Sequence, residues 1–205
     1  MTTRRDFLKT MTMASAGLAF GAGDVLGARA STTQRKVTDK VKIAYIGIGN
    51  RGEQIINDFA RTGMVEVVAL CDVDMGAAHT QKVMNQYPKA KRFRDFRQMF
   101  DKAGNDFDAV AIATPDHSHF PISMLALASG KHVYVEKPLA RTFYEGELLM
   151  QAALKRPNLA TQVGNQGHSE ANYFQFKAWM DAGIIKDVTA VTAHMNNPRR
   201  WHKWD

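Results

Sequence analysis

An α/β fold, a doubly wound parallel sheet with crossover helices, is predicted by three observations. Short apolar runs alternate with helical stretches from Val41 onward, as parallel strands joined by crossover helices require. A glycine pattern, Gly47-Ile48-Gly49-Asn50-Arg51-Gly52, follows the first apolar run directly. An acidic residue, Asp72, closes the second run, about 20 residues further on.

The elements follow in order. Residues 41–46 read as the first strand, and the helix after the glycine turn runs over about 51–62 until Gly63 ends it. A second strand covers 65–70, and after Asp74 a helix continues to Tyr87, where Pro88 stops it. A short strand at 91–93 leads to Asp95, an N-cap for a helix over 96–103. Residues 107–113 form a buried strand, and the turn Thr114-Pro115-Asp116-His117-Ser118-His119 leads to a helix over 121–129 capped by Gly130. A strand at 131–135 empties into Glu136-Lys137-Pro138, followed by a helix over 144–155 and a strand over 159–163. Beyond these, 171–182 reads as a helix and 188–194 as a strand.

Ligands of such sheets lie outside the carboxyl ends of the strands, so the turns at Gly47, Asp72, Thr114, Glu136 and Gly164 open onto one face. The first glycine permits the tight turn, the second lets the backbone approach a pyrophosphate, and the third lets the helix pack on the strand. The helix beginning near Asn50 offers its unpaired N–H groups to phosphate. Asp72 is placed to accept from both ribose hydroxyls and repels a 2′-phosphate, which favours NAD. The Arg51 guanidinium can accommodate that phosphate, which leaves NADP as the alternative.

Thr114 and Pro115 line the nicotinamide ribose, with His117 as a coenzyme contact and His119 as a helix cap. Two histidines at i and i+2 with no Cys or Glu at ligand spacing make a poor metal site, and no metal is expected. Lys137 is the sharper signal. A lysine at a strand end, partly desolvated beside a positive ring, gives up its proton more readily and can exchange it with a substrate hydroxyl. Pro138 fixes the turn. Asn165 can reach the nicotinamide ribose or carboxamide, and His168 the substrate. Met84, Met99, Met124 and Met150 fall at core spacing.

Composition excludes several classes. The chain has 205 residues, 45% of them hydrophobic, which suits one globular domain and the start of another. The formal charge of +7 is scattered among acids with no basic stripe interleaved with aromatics, so nucleic acid is not an expected partner. A single cysteine, Cys71, lies in an apolar run, which rules out an internal disulfide and predicts a buried, inert thiol.

Arg4-Arg5-Asp6-Phe7-Leu8-Lys9 precedes a mildly apolar stretch over 11–26 and an A-x-A-like site, Ala28-Arg29-Ala30. This resembles a twin-arginine (Tat) export signal over 1–30, followed by a polar linker over 31–40. The stretch is too short and glycine-rich to span a membrane permanently. A Tat leader implies export to the periplasm by the Tat machinery, with the nucleotide loaded before transport.

Gly47-x-Gly49-x-x-Gly52, Cys71-Asp72-Val73-Asp74, Thr114-Pro115-x-His117 and Glu136-Lys137-Pro138 together resemble the glucose-fructose oxidoreductase, inositol dehydrogenase and MocA family. The resemblance implies an N-terminal Rossmann domain over 41–163. It makes Lys137 the acid/base lysine, Asp72 the adenosine-ribose acceptor, and Asn50, Arg51, Thr114, His117, Glu136 and Asn165 coenzyme contacts. It also implies a substrate domain on an open antiparallel sheet, through which the full-length form assembles as a homo-oligomer. Residues 164–205 then read as the truncated start of that α+β domain, where Arg199 and Trp201 suit a sugar, and the chain as a fragment.

Three functions fit. One is an NAD(P)-dependent oxidoreductase acting on a secondary hydroxyl of a sugar, cyclitol or glycoside. Another is an NAD-dependent glycosidase working by oxidation, elimination, addition and reduction, although such enzymes tend, by the resemblance, to lack the lysine of Glu-Lys-Pro. The last is a non-catalytic nucleotide-binding module.

Overall fold

The computed structural model describes residues 40–168 and 170–193. Alternation along β1 (Val41–Ile46) sets the layers: Ile43 and Tyr45 enter one hydrophobic cluster, and Ala44 and Ile46 the other. α1 (Arg51–Arg61) lays Ile55 and Ile56 against the first cluster. β2 (Val65–Cys71) follows, and α2 (Ala78–Gln86) adds Val83 and Met84 to the same side. β3 (Lys91–Phe93) leads to α3 (Phe96–Ala103), where Asp95 caps the helix by accepting from the Arg97 N–H at 2.9 Å.

β4 (Ala109–Ile112) is followed by a 3-10 turn, Asp116–Ser118, that runs into α4 (His119–Ala128). β5 (His132–Glu136), α5 (Phe143–Leu154) and β6 (Thr161–Gly164) complete the sheet. Met99 of α3, Ile122 of α4 and Leu149 of α5 fill the second cluster. Helices therefore cover both faces of six parallel strands in the order β3-β2-β1-β4-β5-β6. The direction of strand order reverses between β1 and β4, which opens the crevice that dinucleotides use.

Several boundaries differ from the sequence reading, each for a local reason. α2 starts at Ala78 because Asp74 organises a turn first: its carboxylate accepts from the Gly76 N–H at 3.2 Å and its carbonyl from the Thr80 hydroxyl at 2.7 Å. The β4 ladder is shorter than 107–113, and the Phe107 carbonyl is taken instead by the Lys131 ammonium at 2.9 Å. α4 begins before Pro121, because the first helical turn needs no N–H donor at that position. Thr142 caps α5 by accepting from the Glu145 N–H at 3.2 Å, and the Glu145 carboxylate accepts from the Arg141 N–H at 2.9 Å. This is a Thr-x-x-Glu signature.

The chain divides at Gly164 into two units. In the second, α6 (Ala171–Asp181) forms as expected. The strand expected at 188–194 is not formed over 188–193: no strand of this unit is available to pair with it among the described residues, and an unpaired strand has no ladder to hold it. The leader, the linker up to Lys40, and Arg199 and Trp201 lie outside the described residues. No described helix is long and apolar enough to cross a membrane.

Cys71 ends β2 as a buried free thiol. Burial, with the Asp95 and Asp72 charges adding to it, pushes its pKa from 9.0 up to about 12. The unfolded chain therefore loses this proton first as pH rises. The contribution to stability is complete below pH 9 and is lost between about 9 and 12, with a limiting slope of about 1.4 kcal/mol per pH unit. Cys71→Ala is expected to flatten alkaline denaturation over that window, read by urea titration at stepped pH; an unchanged slope would refute it.

Candidate functional site

Gly47 stands at the carboxyl end of β1 with φ +79, a left-handed turn that glycine adopts without strain. It also lies against the backbone of the neighbouring strand end, since a Cβ would stand 2.5 Å from the Ala113 carbonyl oxygen and 2.8 Å from the Thr114 nitrogen. Gly52 closes the loop from the helix side, where a Cβ would meet the Gly47 carbonyl oxygen at 2.0 Å. The loop thus has the tight turn and the close helix approach expected of its first and third glycines. Gly49 adds something the motif did not signal: the His79 ring occupies the space of its missing side chain, with Cδ2 2.2 Å from an ideal Cβ.

No side chain caps the start of α1, and Asn50 enters it at φ 48. The Gly52 N–H is taken by the Gly49 carbonyl at 2.8 Å, and the positive end of the helix dipole that remains without a side-chain cap is what an anionic phosphate would complete. Asp72, one residue past β2, accepts from the Ile48 N–H at 3.0 Å and the Asp74 N–H at 3.0 Å. These two bonds aim the carboxylate and leave it lone pairs for ribose hydroxyls.

Arg51 and Glu136 join the ends of β1 and β5 across β4. The Arg51 Nε donates to Glu136 Oε1 at 3.0 Å, and its terminal nitrogen lies 2.9 Å from the same oxygen. The Glu136 side chain is only 6% exposed, so its charge requires such partners. Tyr134 donates to Oε1 at 3.2 Å, and the Lys137 N–H to Oε2 at 3.3 Å. Burial, then the Glu136 charge, raises the Tyr134 phenol above its ordinary range. Gly164 makes room, since a Cβ there would stand 2.6 Å from Glu136 Oε1. Sequence reading missed this use of Gly164; its place at the end of the neighbouring strand was the available signal.

Thr114 carries a buried hydroxyl with no hydrogen-bond partner among the described residues. A buried hydroxyl without a partner is costly, and its place at the end of β4 is where a nicotinamide ribose would satisfy it. Pro115, Asp116, His117 and Arg141 line an open cavity of about 610 Å³. His117 is exposed there and free to meet a ligand. Arg141 has no place in the sequence reading, since it belongs to none of the motifs there. His119 is not a helix cap: its ring is buried, with Nδ1 2.6 Å from the Pro138 carbonyl oxygen and Nε2 2.8 Å from that of Thr114.

Lys137 and Pro138 form the turn past β5. Lys137 is exposed rather than partly buried, because it lies beyond the strand's end where sheet packing stops. The first unit brings the strand-end turns together through Gly47 against Thr114, Arg51 against Glu136, and His119 between Thr114 and Pro138. Asn165 and His168 belong to the second unit, in which the His168 ring stacks on Tyr173 at 5.2 Å and the His168 backbone N–H donates to the Asn165 carbonyl at 3.4 Å. No group of three or more His, Cys, Asp or Glu that could hold a metal occurs among the described residues.

The residues present fit a dinucleotide: an uncapped helix start, a glycine loop a Cβ would fill, an aimed carboxylate and an orphaned hydroxyl. Comparisons with known proteins agree. The oxidoreductase family with an NAD-binding Rossmann fold (Gfo/Idh/MocA) matches residues 41–165. Glycosyl hydrolase family 109 protein 2 of Shewanella sp. (strain ANA-3) is 31% identical over 161 residues, covering 69% of this chain and 35% of that protein. Inositol 2-dehydrogenase of Salmonella typhimurium is 31% identical over 147 residues, covering 71% of this chain and 43% of that protein. Scyllo-inositol dehydrogenase from Lactobacillus casei, solved with NAD(H) and scyllo-inositol, superposes with a TM-score of 0.65 at 27% identity, covering 74% of this chain and 44% of that one. The chain spans less than half the length of these relatives, between 35% and 44%.

Proposed function

Because the chain belongs to the Gfo/Idh/MocA oxidoreductase family, with its NAD-binding domain over residues 41–165, we propose that it transfers hydride between NAD and a secondary hydroxyl of a sugar, cyclitol or glycoside. The observation that carries this reading is Lys137 at the end of β5, beside a Pro138 carbonyl that shares the His119 ring with Thr114. When bound, NAD supplies the hydride acceptor. Lys137 Nζ takes the proton of the substrate hydroxyl as the carbinol carbon loses hydride, and returns it in the reverse direction. Glu136, held by Arg51 and Tyr134, accepts the Lys137 N–H and so orients the residue that carries the amine.

NAD is preferred to NADP. Asp72 faces the ribose position with a negative charge, and the guanidinium that could have met a 2′-phosphate is engaged by Glu136 and by Gln54 at 3.0 Å. By family resemblance Asn165 is a coenzyme contact, and His168, from its place in the same polar turn, serves the substrate. Residues 164–205 begin the substrate-binding part, and the full-length protein forms a homo-oligomer. Residues 1–30 serve as a Tat leader that delivers the loaded protein to the periplasm. The inositol dehydrogenase relatives support a cyclitol or sugar as substrate.

Calorimetry is expected to show NAD binding at least about tenfold tighter than NADP, a difference of about 1.4 kcal/mol. NADH formation with a panel of inositols and sugars tests the reaction. A glycosidase reading is supported by relatives such as alpha-N-acetylgalactosaminidase of Shewanella oneidensis, 32% identical over 162 residues. Phenol release from an aryl glycoside without net NADH would select it over the dehydrogenase. Absence of heat with either nucleotide would overturn both.

A further inference from the structure

We propose that His119 is a positioning residue for Lys137, tying the loop after β4 to the turn after β5; the inference rests on the role given to Lys137 above. The first residue of α4 is anchored by the helix backbone, and its side chain is 1% exposed. Both ring nitrogens are spent on main-chain oxygens, Nδ1 2.6 Å from Pro138 O and Nε2 2.8 Å from Thr114 O. Carbonyl oxygens only accept and a neutral imidazole carries one N–H, so the ring donates to one of the two carbonyls and lies in close contact with the other, bridging the two segments. An apolar side chain of the same size would fill the space and leave those carbonyls unmet.

The two segments are those on which the chemistry depends. Thr114 carries the orphaned hydroxyl of the coenzyme crevice, and Pro138 follows the lysine directly. Glu136 fixes the near side of the turn through the Lys137 N–H. His119 fixes its far side through the Pro138 carbonyl. Lys137 therefore lies on a turn held at both flanks, and the exposed amine owes its position to these neighbours rather than to packing of its own.

A double-mutant cycle tests this. His119→Phe, confirmed folded by a cooperative melt, is expected to bind NAD within about threefold of the parent by calorimetry while kcat falls about 10- to 100-fold, the scale of a displaced reacting group. In a Lys137→Ala background the same substitution is expected to cause no further loss, because its effect acts through the lysine. His119→Gln, which can still donate to one carbonyl, should fall between parent and His119→Phe, and takes over the cycle should His119→Phe fail to fold. Hydrogen exchange on the coenzyme-free proteins supplies the readout that needs no turnover: residues 114–118 and 137–142 should exchange faster together, with the sheet unchanged. Full additivity with Lys137→Ala, unaltered kcat, or unaltered exchange in the two segments would overturn the inference. A parent protein without turnover would instead overturn the proposed function, and the exchange comparison would still decide the role of His119.

Discussion

Lys137→Ala is expected to reduce turnover by about 10²- to 10⁴-fold, the range of a lost general acid/base, while NAD affinity stays within about threefold. The separation follows from the structure. What ties Lys137 to the crevice is its backbone N–H on Glu136 Oε2, which alanine keeps, so the Arg51–Glu136 pair and the loop at Gly47 should survive. The lost part is the amine, the group given the proton-transfer role. Lys137→Arg separates charge from proton exchange, because a guanidinium stays protonated at any working pH. It is expected to be as inactive as alanine. Steady-state NADH formation, with calorimetry for the coenzyme, measures both quantities. Turnover that persisted in Lys137→Ala would take the residue out of the mechanism.

Gly52→Ala is expected to weaken NAD binding by at least about 100-fold, or about 2.7 kcal/mol, and to destabilise the fold by about 1–3 kcal/mol. A methyl group there would stand 2.0 Å from the Gly47 carbonyl oxygen and 2.8 Å from its carbon, both main-chain atoms that no side-chain rotation can move aside. α1 would have to withdraw from the loop whose N–H groups are to meet the phosphates. Gly146→Ala is the control: it lies within α5 and a Cβ would meet nothing within 4 Å. That substitution should stabilise the protein by up to about 1 kcal/mol with NAD affinity unchanged. Thermal melts and calorimetry compare the pair, and equal NAD affinity in Gly52→Ala and the parent would remove the loop from coenzyme binding.

The strands and helices of residues 41–164 were legible because each is set by local chemistry. A run buried on both faces over residues 43–46 marks β1, Asp95 caps α3, and positive φ at Gly47 follows from the turn between strand and helix. The errors fall where a contact from outside the element intervened. Lys131 takes the Phe107 carbonyl from the start of the expected strand, and the stretch 188–193 has no partner strand among the described residues of its own unit. His119 reads as a cap from local sequence for the same reason, since both carbonyls its ring meets lie outside α4.

From residue order alone came the α/β class, the glycine loop with its acidic partner Asp72, and a lysine placed at a strand's end. These are properties of runs, turns and spacings within a few tens of residues. Only tertiary structure decided that Arg51 turns to Glu136, 85 residues away, that His79 covers Gly49, and that one imidazole joins Thr114 to Pro138. Such pairings depend on which strands become neighbours and how their ends align. Strand order is settled by the packing of the whole sheet, which no local pattern of side chains records.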